Sequence, residues 1–245
     1  MIALRRSFPR TRRCRLQCAS PVRFDHRRLS TPSALRRAES TGPLFPDPPT
    51  AKHRDLSSFV SYAERAGLDK SSTIYVGTHY EYTVSATLAQ YSITAMRVGG
   101  ISDNGIDLLG TWQLPSRREK LKVILQCKGG SQKISPSLVR ELEGSFIGAP
   151  VGWRCEGVVA FLVSENTATK GVREAMSRSR WPMGFISCSR DGVVRQMIWN
   201  QRAEDEGLRG MNVGVRHSEE TKGEAEVVLT YQGRRIRGES DATYR

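Results

Sequence analysis

No run of 18 or more apolar residues occurs anywhere in the 245-residue chain, which excludes a membrane-spanning helix. Cysteine is scarce. The five present (Cys14, Cys18, Cys127, Cys155 and Cys188) are odd in number and widely scattered, which argues against a disulfide framework and fits a reducing compartment. Cys14 and Cys18 have no second Cys or His pair beside them, so the spacing of a structural zinc site is missing. There is no Gly-rich phosphate loop and no nucleophile elbow, and Gly99-Gly100 lacks the spacing of a dinucleotide motif. No internal repeat or low-complexity tract breaks the chain. Lysine is absent from the first forty residues, and Asp25 and Glu39 are the only acids there.

That last absence divides the charge. The whole chain carries +13. Eleven arginines against two acids give residues 1–40 a charge of +9, while 27 basic and 23 acidic residues leave +4 for the remainder. An Arg-rich, acid-poor segment with scattered Ser and Thr has the composition of a mitochondrial transit peptide. Residues 1–40 are therefore expected to engage the mitochondrial import machinery; the alternative is a basic arm that binds nucleic acid or directs the chain to the nucleus. Residues 41–54 are Pro-rich and read as a linker. A folded domain is expected over 55–200. A C-terminal extension follows over 201–245, with a candidate strand pair at 212–215 and 227–231 and a disordered tail. The body's mild basicity permits a nucleic-acid partner without requiring one.

Within the body, apolar spacing predicts a helix over 55–68. A second is predicted over about 79–90, opened by Thr78 with Glu81 three residues later in a capping box. Strands follow over 92–98, 105–113 and 121–128, then a helix over 136–147 with Pro136 in its first turn. The continuous apolar run 157–163 reads as a strand buried on both faces. A helix over 167–179 and strands over 184–189 and 192–199, joined through Asp191-Gly192, complete the order. The fold class is α/β, a central mixed sheet flanked by helices.

One constellation stands out. Asp107 lies at the start of the second strand. Eighteen residues separate it from Gln126-Cys127-Lys128, which closes an apolar strand. The two-residue period puts Gln126 and Lys128 on one face, about 6.6 Å apart along it, with Val123, Leu125 and Cys127 on the other. If the two strands form a hairpin, a carboxylate, an amide oxygen and an ammonium converge. Such a set suits metal-assisted phosphodiester hydrolysis. Mg²⁺ (or Mn²⁺) takes few protein oxygens and keeps water and phosphate as its other ligands. Asp107 would be the main ligand, the Gln126 carbonyl a second, and the backbone carbonyl of Cys127 a third. Lys128 would position the attacking water or neutralise charge on the phosphate.

These residues carry a resemblance. Gly77-Thr78-His79-Tyr80-Glu81, Ser102-Asp103-Asn104-Gly105-Ile106-Asp107 and Gln126-Cys127-Lys128 resemble the Mrr-type branch of the restriction-endonuclease-like (PD-(D/E)XK) nucleases. Val139-Arg140-Glu141-Leu142-Glu143-Gly144 and Phe161-Leu162-Val163-Ser164 sit where that branch has its second helix and fourth strand. With its leader, the chain is similar to the fungal Required for respiratory growth protein 7 family. The resemblance covers roughly 73–200. It implies a restriction-endonuclease-like core in αβββαβ order, an active site of Asp107, Gln126 and Lys128, an acidic Glu81 on the first core helix, and DNA as partner. Gln126 departs from the Glu or Asp usual among these nucleases, which removes a charge from the metal site.

Duller readings stand beside these. Glu81 is either a capping partner of Thr78 or a metal residue. Asp103 is either a turn residue or a catalytic one. Asp107 and Lys128 could form only a structural ion pair. Glu141 and Glu143 are expected to face solvent or cap contacts, His79 to lie on the surface, and Trp112, Trp153, Trp181 and Trp199 to pack in the core or at sheet edges. The functional expectation is a mitochondrial Mg²⁺-dependent nuclease acting on DNA. Its alternative is a non-catalytic nucleic-acid-binding or scaffold protein of the same fold. Homo-oligomerisation is left open.

Overall fold

The computed structural model describes residues 45–46, 52–99, 105–130, 133–154, 156–217 and 225–236. The leader over 1–40, most of the linker, and the last nine residues therefore lie outside the described residues, as do Cys14, Cys18, Cys155 and the Ser102-Asp103-Asn104 turn.

Helix α1 spans Leu56–Arg65 and buries Phe59 and Ala63. Asp55 starts it: its carboxylate accepts from Ser58 N–H at 2.8 Å, and Ser58 Oγ accepts from Asp55 N–H at 3.1 Å. This reciprocal pair satisfies two otherwise orphaned helix-end donors. Helix α2 spans Thr73–Leu88, capped by Ser72. It begins six residues earlier than expected, so Thr78 and Glu81 lie inside it and form no capping box. The extra turn is held by packing, with the Tyr75 ring 5.4 Å from that of Phe59 on α1.

Six strands follow: β1 (Ile93–Arg97), β2 (Leu108–Trp112), β3 (Leu121–Lys128), β4 (Val158–Ser164), β5 (Met183–Cys188) and β6 (Val194–Trp199). They form one sheet in simple order from β1 to β6. The first three are antiparallel neighbours, β3–β4 and β4–β5 are parallel, and β6 returns antiparallel. Helix α3 (Pro136–Gly148) crosses between β3 and β4, and α4 (Lys170–Arg178) between β4 and β5. This is the expected mixed sheet flanked by helices. Every residue of β4 is buried, as its unbroken apolar run required.

The two faces of the sheet carry separate cores. On one, Tyr80, Val84 and Leu88 of α2 pack on Leu121, Val123 and Leu125 of β3 and on Leu108 of β2. On the other, Leu138, Val139, Leu142 and Phe146 of α3 pack on Leu109, Ile124, Ala160 and Leu162. Alternation along β3 thus decides which face each side chain serves. The segment after residue 200 joins the first core. A short helix α5 (Gln201–Ala203) and a π-turn (Glu204–Leu208) lead into β7 (Met211–His217), β8 (Ala225–Tyr231) and β9 (Arg234–Arg235), a separate three-stranded sheet. Met211, Val227 and Leu229 lie in the α2-side core, and Tyr91 O–H donates to the Val227 carbonyl at 3.0 Å. The expected strand pair is present and is part of the body's packing. No helix among the described residues is long and apolar enough to cross a membrane.

Candidate active site

Antiparallel pairing places Leu108 opposite Leu125, so Asp107 and Gln126 are the next facing positions at the same end of β2 and β3. The backbone fixes Asp107 from both sides. Its N–H donates to the Leu125 carbonyl at 3.0 Å, and its carbonyl accepts from Val98 N–H and Gly99 N–H at 2.9 Å each. Its carboxylate oxygen Oδ2 accepts from Cys127 N–H at 2.6 Å. Asp107 is thereby tied directly to the Gln-Cys-Lys segment.

Gln126 and Lys128 share the α3 face, and Cys127 packs toward the α2-side core, as the strand period predicts. Gln126 is 1% exposed. Its Nε2 donates to Glu141 Oε1 at 2.5 Å, while its carbonyl oxygen is buried with no hydrogen-bond partner. A buried acceptor left unpaired costs about 1–3 kcal/mol. Lys128 Nζ donates to the same Glu141 oxygen at 2.7 Å. The ion pair of Lys128 is therefore with Glu141 of α3.

Glu141 is the residue that sequence reasoning missed, since its carboxylate was expected in solvent. The side chain is half exposed, yet its oxygen bridges both strand residues. A signal existed: Leu138, Glu141 and Ser145 are spaced i, i+3 and i+7, and Leu138 and Ser145 are buried, so Glu141 flanks the stripe that faces the sheet. Ser145 Oγ also donates to the Gly105 carbonyl at 3.3 Å. Gly105 has φ +75°, and a Cβ there would come within 3.1 Å of Gln126 Nε2. Only glycine lets that turn lie against the amide.

Glu81 sits on α2, where its carboxylate is engaged by Nε of Arg97 in a largely buried ion pair. It still contributes to the field at Cys127. Burial, Asp107, Glu81 and Cys188 together push the Cys127 thiol well above its usual range, with Lys128 opposing. The chain leaves β3 along a fixed path. Gly129 passes against the Tyr80 ring, where a Cβ would stand 3.1 Å from Cδ1. Gly130 N–H donates to Glu165 Oε1 at 2.5 Å, and Arg190 Nε donates to the same carboxylate at 2.9 Å.

The other singled-out residues are placed plainly. Trp112 and Trp153 are fully buried, Trp199 is half buried, and Trp181 is 40% exposed with its ring stacked on Phe146. His79 is half buried and stacks on Tyr75. Glu143 accepts from Ser179 Oγ at 2.6 Å. Among the described residues, no three His, Cys, Asp or Glu side chains gather so as to hold a metal ion.

These features define an α/β protein with a polar constellation where β2 begins and β3 ends. The family model of Required for respiratory growth protein 7 matches residues 72–120 and 114–217, and the chain belongs to that family. An uncharacterized mitochondrial protein of Schizosaccharomyces pombe is 34% identical over 154 residues, 60% of each chain. Required for respiratory growth protein 7, mitochondrial, of Vanderwaltozyma polyspora is 36% identical over 84 residues, 32% of this chain and 34% of that one. The Saccharomyces cerevisiae protein of the same name is 24% identical over 168 residues, 51% of this chain and 69% of that one. The chain thus spans about 60% and about a third of the lengths of the first two relatives. No solved structure matches. The protein is mitochondrial, as these relatives are named.

Proposed function

We propose that the protein is a divalent-metal-dependent nuclease of mitochondria, with a restriction-endonuclease-like core that hydrolyses DNA phosphodiester bonds in support of respiratory growth. The observation that carries this reading is the juxtaposition of Asp107 and Gln126 at facing strand ends, where the Asp107 carboxylate accepts from Cys127 N–H and the Gln126 carbonyl is buried and unpaired. The helix, three strands, helix, strand order from Thr73 to Ser164 supports the core assignment.

The donor set fits a lightly held Mg²⁺ or Mn²⁺. Such an ion needs one or two carboxylates and completes its shell with water and substrate phosphate. Asp107 and the Gln126 carbonyl would hold it, with the Cys127 carbonyl beside them. The chemistry the ion supplies when bound is neutralisation of phosphate charge and a more acidic water. Lys128 meets the negative charge that develops on the phosphate, once its ammonium turns from Glu141 toward substrate. Cys127 N–H holds the Asp107 carboxylate in place. Glu81 takes no ligand role in this reading; it holds Arg97.

Purified full-length protein should nick plasmid DNA with Mg²⁺ or Mn²⁺ and stop with chelator. Lys128→Met and Asp107→Asn should each lose about a hundredfold or more in rate, while melting within a few degrees of wild type. Undiminished cleavage by both would sink the assignment. A second reading, a non-catalytic nucleic-acid-binding scaffold, draws support from the occupation of Lys128 by Glu141 and from the lack of a gathered metal-ligating triad among the described residues. No wild-type cleavage with any divalent metal, with binding retained, would favour it.

A further inference from the structure

A mainly apolar concavity with two arginines on its wall lies beside β1, the strand paired with β2. It has a volume of about 270 Å³ and lies among residues 53–54, α2 and the outer strand β1, just below the range of about 300–1,000 Å³ usual for ligand pockets. Arg97 on its wall pairs with Leu108 in the sheet, and Val98 and Gly99 donate to the Asp107 carbonyl. β1, which carries Arg97, is thus the strand paired with β2, at whose start Asp107 lies; the cavity is lined by Tyr82 and Ser85 of α2, whereas Gln126 and Lys128 reach Glu141 of α3.

Its chemistry is that of an anion site with an apolar floor. Ala95 and the 44% exposed Met96 supply apolar surface, Tyr82 lies buried behind His53, and Arg54 and Arg97 supply guanidinium groups. Arg54 is exposed, and its guanidinium makes no hydrogen bond or ion pair among the described residues. Glu81 engages Arg97 through Nε, one of the five donors that a guanidinium carries. His53 Nδ1 lies 2.8 Å from Tyr82 O–H. Burial first, and then the charges of Arg97 and Lys52, pull the His53 pKa down. Guanidinium forks match phosphate oxygens, and an exposed thioether suits the face of a flat base.

We propose that this cavity binds the terminal nucleotide of a nucleic-acid strand through its phosphomonoester, with the base or sugar against Met96. The proposal rests on the nuclease reading for its purpose: a seated terminal nucleotide would anchor a strand end on β1, the neighbour of the strand that Asp107 opens. The site itself is tested without cleavage.

Calorimetric titration of full-length protein with thymidine 5′-monophosphate, thymidine 3′-monophosphate, thymidine and inorganic phosphate is the experiment. At least one of the two nucleotides should bind more tightly than both thymidine and phosphate. Arg54→Gln should weaken that binding about tenfold, the size of one charge-assisted hydrogen bond. Met96→Glu, at a 44% exposed position, should abolish it by placing a carboxylate at the floor. Neither residue belongs to the proposed catalytic set. Equal binding of thymidine and the nucleotides, or nucleotide binding unaltered in both folded variants, overturns the proposal. Phosphate binding as tightly as the nucleotides overturns the nucleoside part and leaves a free-anion site. Nucleotide binding that depends on Arg54, in a protein that never cleaves plasmid, would uphold the cavity and refute the nuclease reading separately.

Discussion

The Lys128–Glu141 contact makes a charge prediction that can be worked through. In the folded protein both side chains meet at 2.7 Å and the pair carries no net charge. Glu141→Gln keeps the length of the side chain and an oxygen for Gln126 Nε2, while leaving one net positive charge at the end of β3. An ion pair this exposed contributes about 0.2–1 kcal/mol to stability, so the melting temperature should fall by no more than about 4 °C. DNA binding should respond more strongly. Each phosphate neutralised adds about 0.9 to the steepness of log affinity against log salt. The mutant's slope should therefore steepen by about 0.9, which makes its advantage over wild type about 3.5-fold larger at 50 mM than at 200 mM salt. Fluorescence anisotropy of a labelled duplex across that range measures it. Lys128→Met should flatten the slope by a similar amount, and the double variant E141Q/K128M should return to the wild-type line. Parallel lines for wild type and Glu141→Gln, or weaker binding by the mutant at every salt, would refute the reasoning that Lys128 faces nucleic acid.

Three further outcomes are expected. Gln126→Glu adds a carboxylate where a carbonyl is buried and unpaired, so calorimetry should show tighter Mg²⁺ or Mn²⁺ binding; equal affinities would place Gln126 away from the ion. The Cys127 thiol, pushed well above 9.0 by burial and by Asp107, stays neutral in the folded state while the unfolded chain ionises. The stability this confers is complete below about pH 9 and is lost as pH rises beyond it, because the unfolded state then binds fewer protons than the native; Cys127→Ala should flatten that alkaline decline in chemical denaturation, and an unchanged decline would count against it. Residues 1–54 fused to a fluorescent reporter should colocalise with mitochondria; a diffuse or nuclear signal would mean that targeting lies elsewhere.

Strand pattern made much of the architecture legible. β3 was bounded at 121–128 because apolar alternation runs to a polar end, and β4 stood out because its run is unbroken and both its faces are buried. The start of α2 was not legible. Residues 73–78 include Thr73, Ile74, Val76 and Gly77, which resist helix locally, and Thr78 with Glu81 imitates a cap. Contacts with α1 override that local preference. The short helix at 201–203 is too brief for any periodicity. Asn200 makes it, accepting from Ala203 N–H at 3.0 Å while its amide donates to the Met176 and Trp181 carbonyls. In the site, Gln126 and Lys128 were placed on one face by period two alone. Glu141 was not, because a carboxylate on a helix flank reads as solvated until the sheet beneath it is known. The wall formed by His53 and Arg54 was hidden for a similar reason: both stand at the end of a segment that reads as linker.

The sheet's ordering bears on how an imported chain acquires its shape. Every strand from β1 to β6 pairs with the one before it in sequence, so a polypeptide delivered N-terminus first can lay each new strand on an edge already made. Nothing must wait for a distant partner to slot between earlier strands, and the cost of closing long loops is kept low. The exception is the last segment. Tyr91 finds its acceptor 136 residues later, at Val227, and Met211, Val227 and Leu229 complete the core that α2 begins. The layer beneath α2 is therefore finished only when the final strands arrive. Until then the apolar face that α2 begins lacks the Met211, Val227 and Leu229 side chains that cover it in the finished fold.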